Sequence, residues 1–185
     1  MTVWKITNDL INTAEGRVLP PGSELDEYLI LKLGGKGTPV TWAEPMRLER
    51  DKGSTSRKKP KPRTDLIPFQ LGVLVLNQKA RDALGDFLSR FGQLLELNVE
   101  GDTEYYYNVT NVVPCIDLAR SEKRASGAIQ KEAFNESAVP IEPAVFKDPL
   151  TVTGRIYVND GGKAVLEQRI KEHGLTGMDF ARTGV

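Results

Sequence analysis

Residue types able to do covalent or proton-transfer chemistry are scarce in this chain. Among its 185 residues there is one cysteine, Cys115, and one histidine, His173. As a pair they could supply a thiolate and its base. His173, however, falls at the end of a helical pattern, where the macrodipole favours the protonated imidazole and opposes its use as a general base. A lone cysteine after a β-rich run reads as a small core residue. One cysteine and one histidine also exclude a Cys/His metal cluster within one chain. The sequence has no zinc-protease, Cys-x-x-Cys, nucleophile-elbow or dinucleotide fingerprint. Gly34-Gly35-Lys36-Gly37-Thr38 has a faint likeness to a phosphate loop. A true one needs Ser or Thr directly after Gly-Lys, and Gly37 stands there, so the segment reads as a turn. Carboxylate pairs such as Asp26-Glu27 and Glu100/Asp102 are adjacent or sit in a turn, where carboxylates are solvated. Nothing assembles a nucleophile, a base and an orienting group. The reading is a non-enzyme with no catalytic residue, no metal and no cofactor.

The charges balance, 25 basic against 25 acidic, but they are segregated. Residues 47–63 hold Arg47, Arg50, Lys52, Arg57, Lys58, Lys59, Lys61 and Arg63, opposed only by Glu49 and Asp51. That segment carries +6 and leaves −6 on the rest of the chain. A negative body attracts basic partners. The basic segment contains Gly53-Ser54-Thr55-Ser56, two prolines and no aromatic residue, so it reads as a mobile, solvated loop. A nucleic-acid-binding or regulatory module using this segment is the alternative reading; without stacking aromatics, nucleic acid is not the expected partner. No apolar run approaches the roughly 18 residues of a membrane span. The N-terminus lacks a secretory pattern, and a single thiol fits a reducing compartment, so a cytoplasmic location is expected.

The elements that must position these residues follow from periodicity. Residues 1–63 are weakly patterned, with short strands expected at 28–33 and 40–42. From residue 64 the pattern sharpens. Val73 to Leu76 is an apolar run ending at Asn77, a good helix N-cap. Ala80, Ala83, Leu84, Phe87, Leu88 and Phe91 then fall on one helical face, predicting a helix over 78–91 with Gly92 as its stop. Leu95, Leu97 and Val99 alternate with polar residues, and Gly101-Asp102 is the expected hairpin turn into a strand over 105–113. Residues 119–137 read as loop or solvated helix, with short strands near 144–146 and 151–153. A last strand at 156–158 leads through Asn159 to a helix over 162–173, closed by Gly174 with Leu175 as its hydrophobic contact. The fold class is α+β, a mixed or antiparallel sheet with two main packed helices. The chain divides into a weakly patterned region, 1–63, and an α+β unit, 64–185.

Tyr106-Tyr107-Asn108-Val109, continuing through Asn111-Val112-Val113 to Cys115-Ile116-Asp117 and Ser121, resembles the central signature of a bacterial immunity-protein family of polymorphic toxin systems. The closing Gly174-Leu175-Thr176-Gly177-Met178-Asp179-Phe180 resembles that family's C-terminal Gly-Leu-Thr-Gly-x-x-Phe. The pieces occur in the family's order across about residues 66–180, with Pro114 where the family has an acidic residue. The resemblance implies a protein that binds and neutralises a cognate toxin effector by occlusion. The matched residues read as fold determinants, with Asn108 and Asn111 satisfying backbone groups and Asp117 a local acceptor. Tyr106 and Tyr107 point to opposite faces of a strand, leaving one free for contacts. Candidate partner contacts are Trp4, Tyr28, Trp42, Tyr105, Tyr106 and Tyr107. From the composition of the basic segment, limited trypsin digestion should cut first within residues 52–61. First cleavage elsewhere would show that the segment is held down.

Overall fold

A computed structural model describes residues 1–9, 16–22, 35–51 and 63–184. The strand expected at 28–33, Tyr28 itself, Gly34 and the basic stretch 52–61 lie outside the described residues. The fold is α+β, with the described strands in a four-stranded sheet, a six-stranded sheet and a small hairpin.

The four-stranded sheet contains β1 (Val3–Asn8), β10 (Val145–Phe146), β11 (Ile156–Asn159) and β12 (Met178–Arg182), in the order β10-β11-β1-β12. Every described pairing in it is antiparallel. The division expected at residue 63 therefore does not separate the sheets, because β1 lies between two strands from the end of the chain. The six-stranded sheet is mixed and has the order β2-β3-β6-β7-β5-β4. Its strands are β2 (Gly16–Val18), β3 (Met46–Asp51), β4 (Leu66–Ile67), β5 (Leu74–Leu76), β6 (Gly92–Val99) and β7 (Asp102–Val109). Among its described pairings, that of β3 with β6 alone is parallel. Its two outer strands meet where the Arg17 N–H donates to the Pro68 carbonyl at 3.0 Å, so the sheet curls toward a closed barrel. Met46, Leu48, Val75, Val99 and Tyr106 pack together on its inner face. Arg17 and Glu104 are buried as a bidentate ion pair, at 2.6 and 2.8 Å. Residues 47–51 of the basic segment belong to β3, not to a loop.

Helix α1 (Gln78–Leu88) and helix α2 (Asp160–His173) lie in a core shared by both sheets, where Leu84, Leu88 and Leu166 join Ile6, Ile156, Leu74 and Tyr107. Each helix starts on an asparagine. Asn77 Oδ1 accepts from the Ala80 N–H at 2.9 Å, and Asn159 Oδ1 accepts from the Gly162 N–H at 2.8 Å. Asn159 does more: it also accepts from the Ala144 N–H and donates to the carbonyls of Pro140 and Glu142. One buried amide thus starts a helix and anchors the loop before β10. Gly174 closes α2 in the left-handed conformation (φ 56°), and the Leu175 N–H reaches the Ile170 carbonyl, as the spacing predicts.

Five local expectations are corrected. Helix α1 ends at Leu88, and Gly92 is not its stop. Gly92 opens β6, where a Cβ would lie 2.2 Å from the Asn108 carbonyl oxygen, so its role is close backbone approach. The hairpin turn is Glu100-Gly101, with φ of 53° and 95°, because a two-residue turn of this hand needs positive φ at both central positions. Glu100 is held there by the Arg50 N–H and guanidinium, each at 3.2 Å. The strands expected at 40–42 and 151–153 are irregular segment and turn, while residues 119–137 supply a hairpin, β8 (Glu122–Lys123) with β9 (Ile129–Lys131).

The two caps should differ in cost. Asn77→Ala removes one cap and one side-chain bond, and a loss of about 1 kcal/mol is expected. Asn159→Ala strands several buried backbone groups as well, and roughly 3 kcal/mol is expected. Urea-denaturation midpoints of the two variants measure the difference; equal losses would mean that the 140–144 loop does not depend on Asn159.

Candidate functional site

The two residues with nucleophile and base chemistry are placed apart in character. Cys115 is buried among Val139, Phe146 and Tyr157. Burial, reinforced by the neighbouring Asp148 carboxylate, pushes its thiol up to about 12. His173 is exposed in the last turn of α2. A protonated, buried thiol is a core group rather than a nucleophile. Asp148 is itself engaged, accepting from the backbone N–H groups of Cys115, Ile116 and Leu150, each at 2.8 Å.

Other buried polar side chains also hold backbone. Glu132 accepts from the Tyr157 hydroxyl at 2.7 Å and pairs with Arg155, which donates to the Ile129 carbonyl. Lys147 is fully buried and donates to the carbonyls of Gly35 and Val152. The Thr38 carbonyl accepts from Asn108 Nδ2 at 2.8 Å. The glycine-rich turn at 35–38 therefore offers its carbonyls to donors from the protein, the opposite of a loop that turns N–H groups toward a phosphate. Asn111 donates to the Val145 carbonyl at 2.9 Å, and Asp117 accepts from the N–H groups of Ala119 and Arg120 and from the Arg120 guanidinium. These asparagine and aspartate roles agree with the sequence reading. At the closing motif, Gly177 (φ 97°) presses on the 64–66 segment, where a Cβ would lie 2.2 Å from the Leu66 carbonyl oxygen. Thr176 bonds Asp65 through both its N–H and its hydroxyl. Both ends of the family-like stretch thus meet.

The aromatic contact candidates divide. Tyr105, Tyr106 and Tyr107 are all buried. The expectation that Tyr106 or Tyr107 stays free is overturned, because β7 carries a core on each face: Tyr107 packs with the helices and Tyr106 inside the curled sheet. Tyr107 donates to the Leu88 carbonyl at 2.9 Å, and Tyr105 to Gln78 at 2.8 Å. Trp4 is half-buried, donates to Asp160 at 3.0 Å and lies under the Lys163 ammonium, 4.5 Å from the ring centre. Trp42 is half-buried in the irregular segment before β3, edge-on to Tyr106 at 5.6 Å, and its indole N–H donates to the Glu96 carbonyl at 3.0 Å.

Of the several concavities among the described residues, two adjoin the aromatic candidates or the seam between the sheets. The larger, about 560 Å³, lies between the two sheets and is lined by Lys5, Ile6, Phe69, Leu74 and Ile156. Leu71, on the turn that borders it, is 81% exposed. The smaller, about 290 Å³, runs along β6 and is lined by Trp42, Glu44, Pro45, Leu94, Leu95 and Glu96, among others. Sequence reasoning pointed to Trp42 but missed the groove beside it, which exists only because residues 40–45 peel away from β6. Among the described residues no cluster of three or more His, Cys, Asp or Glu side chains is arranged to hold a metal ion, and no helix is long and apolar enough to cross a membrane. No family model matches the chain, and a search of curated proteins finds no match.

Lys147 gives a pH signature. Burial pulls its ammonium down from an ordinary 10.5 to about 8. Between those values the unfolded chain binds more protons than the folded one, so the lysine's contribution to stability grows as pH rises from about 8 towards 10.5 and is least favourable below 8. Lys147→Met cannot titrate. The stability of the wild type relative to that variant should therefore increase between pH 7.5 and 9.5 in urea titrations, and a constant difference would show that the buried lysine keeps its ordinary proton affinity.

Proposed function

We propose that this protein binds a cognate bacterial toxin effector and neutralises it by occlusion, protecting the producing cell without chemistry of its own. The observation that carries the reading is the use made of the family-like residues. Tyr106, Tyr107, Asn108, Asn111, Cys115, Asp117, Thr176 and Gly177 are each engaged in packing, in backbone bonding or in a turn. That is what an inhibitor scaffold requires: a rigid frame on which an accessible surface is displayed.

Electrostatics favours a basic partner, since the chain outside residues 47–63 carries −6. A toxin with a basic active-site surface would be drawn to it, with an association rate that falls as salt rises. A stable complex of this kind buries about 1,600 Å² in total around a few aromatic or arginine anchors. The nucleic-acid alternative draws less support from the described part of the basic segment, because Arg50 is paired with Glu100 and Asp102.

Co-expression tests the reading. The toxin encoded beside this protein should arrest cells when expressed alone and should be harmless when expressed with it, and the two should co-purify. The double variant Cys115→Ala/His173→Gln should protect as well as the wild type. If that variant is folded and bound to the toxin yet fails to protect, inhibition involves chemistry and occlusion is the wrong account.

A further inference from the structure

Strand β6 is paired with β7 along its whole length, from Gly92↔Val109 to Val99↔Asp102. On its other side it is paired with β3 only at Leu97, Asn98 and Val99. The direction of its backbone groups follows from the hairpin. Val99 and Asp102 flank a two-residue turn, so they exchange hydrogen bonds with each other, and alternate residues back along β6 do the same with β7. Leu95 and Leu97 therefore aim their N–H and C=O at β7, while Leu94 and Glu96 aim theirs away from it. The indole of Trp42 confirms this, because it reaches the Glu96 carbonyl from the β3 side. Beyond that bond, the Leu94 N–H and C=O and the Glu96 N–H meet no backbone partner on that side among the described residues. Where a strand would continue, the chain is held off: Gln93 uses its side-chain amide to bond both the N–H and the C=O of Val40, at 2.9 and 3.0 Å. The groove of about 290 Å³ is the space this leaves.

An open strand edge beside an aromatic side chain is a template for strand addition, in which main-chain bonds give affinity and side-chain pockets give selectivity. The groove also has a sign. Its lining includes two exposed carboxylates, Glu44 and Glu96, and no lysine or arginine. We propose that this half-open edge of β6 takes a short, extended, basic segment of the partner protein as an added strand along residues 94–96, flanked by Trp42. The proposal rests on the toxin-binding reading for the identity of the partner, but the edge and its preference for basic segments are properties of this chain alone.

Amide hydrogen exchange by NMR on the full chain tests the edge first. In the free protein the Leu94 and Glu96 amides should exchange at least roughly tenfold faster than those of Leu95 and Leu97. Equal protection at high dilution would overturn the proposal, as would protection that rises with protein concentration, which would mean that a second copy occupies the edge. The ligand preference is then read with two capped probe peptides, Lys-Val-Lys-Val-Lys and Glu-Val-Glu-Val-Glu. The basic peptide should shift and protect the Leu94 and Glu96 amides and perturb the Trp42 indole, and the acidic one should not. Glu44→Lys/Glu96→Lys, checked for an unchanged unfolding midpoint, should weaken the basic peptide by roughly tenfold. Indifference to peptide charge, or no response at those amides, would overturn it. The two readings separate cleanly: a toxin that co-purifies but leaves both amides unprotected sinks the docking site and spares the function, whereas peptide binding without protection of cells sinks the function and spares the site.

Discussion

Strand β1 has hydrogen-bonded neighbours on both sides, and both come from the far end of the chain. Its register runs Val3↔Asn159 to Ile6↔Ile156 on one side and Trp4↔Arg182 to Asn8↔Met178 on the other. The four-stranded sheet cannot form without it, and neither can the core beneath, since Ile6 packs with the helices while Val3 packs with Cys115 and Phe146. Closing so long a loop costs entropy that is recovered only when the last strands are present. The N-terminal strand is therefore the centre of the C-terminal sheet, and the chain is a poor candidate for separation into an independent C-terminal unit.

Given that arrangement, both sheets and both helices share one main core, and polar residues caught within it must find partners. They do so against irregular segments. Asn159 gathers the 140–144 loop, Lys147 joins the 35–38 turn to the 148–154 turn, and Asp148 caps the chain at Cys115 and Ile116. Buried polar groups of this sort cost more when left unpaired than they contribute when paired, so they act mainly to select one loop arrangement. Their density here accounts for how a chain with so many short strands and turns holds a defined surface.

That surface bears on function. An inhibitor that works by occlusion gains from rigidity, because ordering a loop on binding subtracts from affinity. The open half of β6 suits the proposed use: β7 fixes its geometry over the full strand, while the Trp42 indole takes the Glu96 carbonyl and the Gln93 amide holds Val40 beside the edge. Charged and capped edges are a common way of keeping a strand available without inviting aggregation.

Local chemistry made much of this legible in advance. The apolar spacing of α1, the asparagine caps, the Gly174 terminator, the β6–β7 hairpin and the α+β class all depend on residues within a few positions of one another, and short-range sterics and hydrogen bonding decide them. Asp117 was readable as a local acceptor for the same reason, and Asn111 as a partner for a backbone group, although that group, the Val145 carbonyl, lies far along the chain. Other features were decided only by tertiary structure. Tyr106 and Tyr107 alternate in or out of any strand, but whether the second face meets solvent or another core depends on how the six-stranded sheet curls. Gly92 looks like a helix stop until the Asn108 carbonyl is placed against it. Glu100 enters the turn because Arg50, from a distant strand, holds its carboxylate. The place of β1, the lysine behind the glycine turn and the groove on β6 all arise from contacts between segments far apart in sequence, which no local pattern encodes.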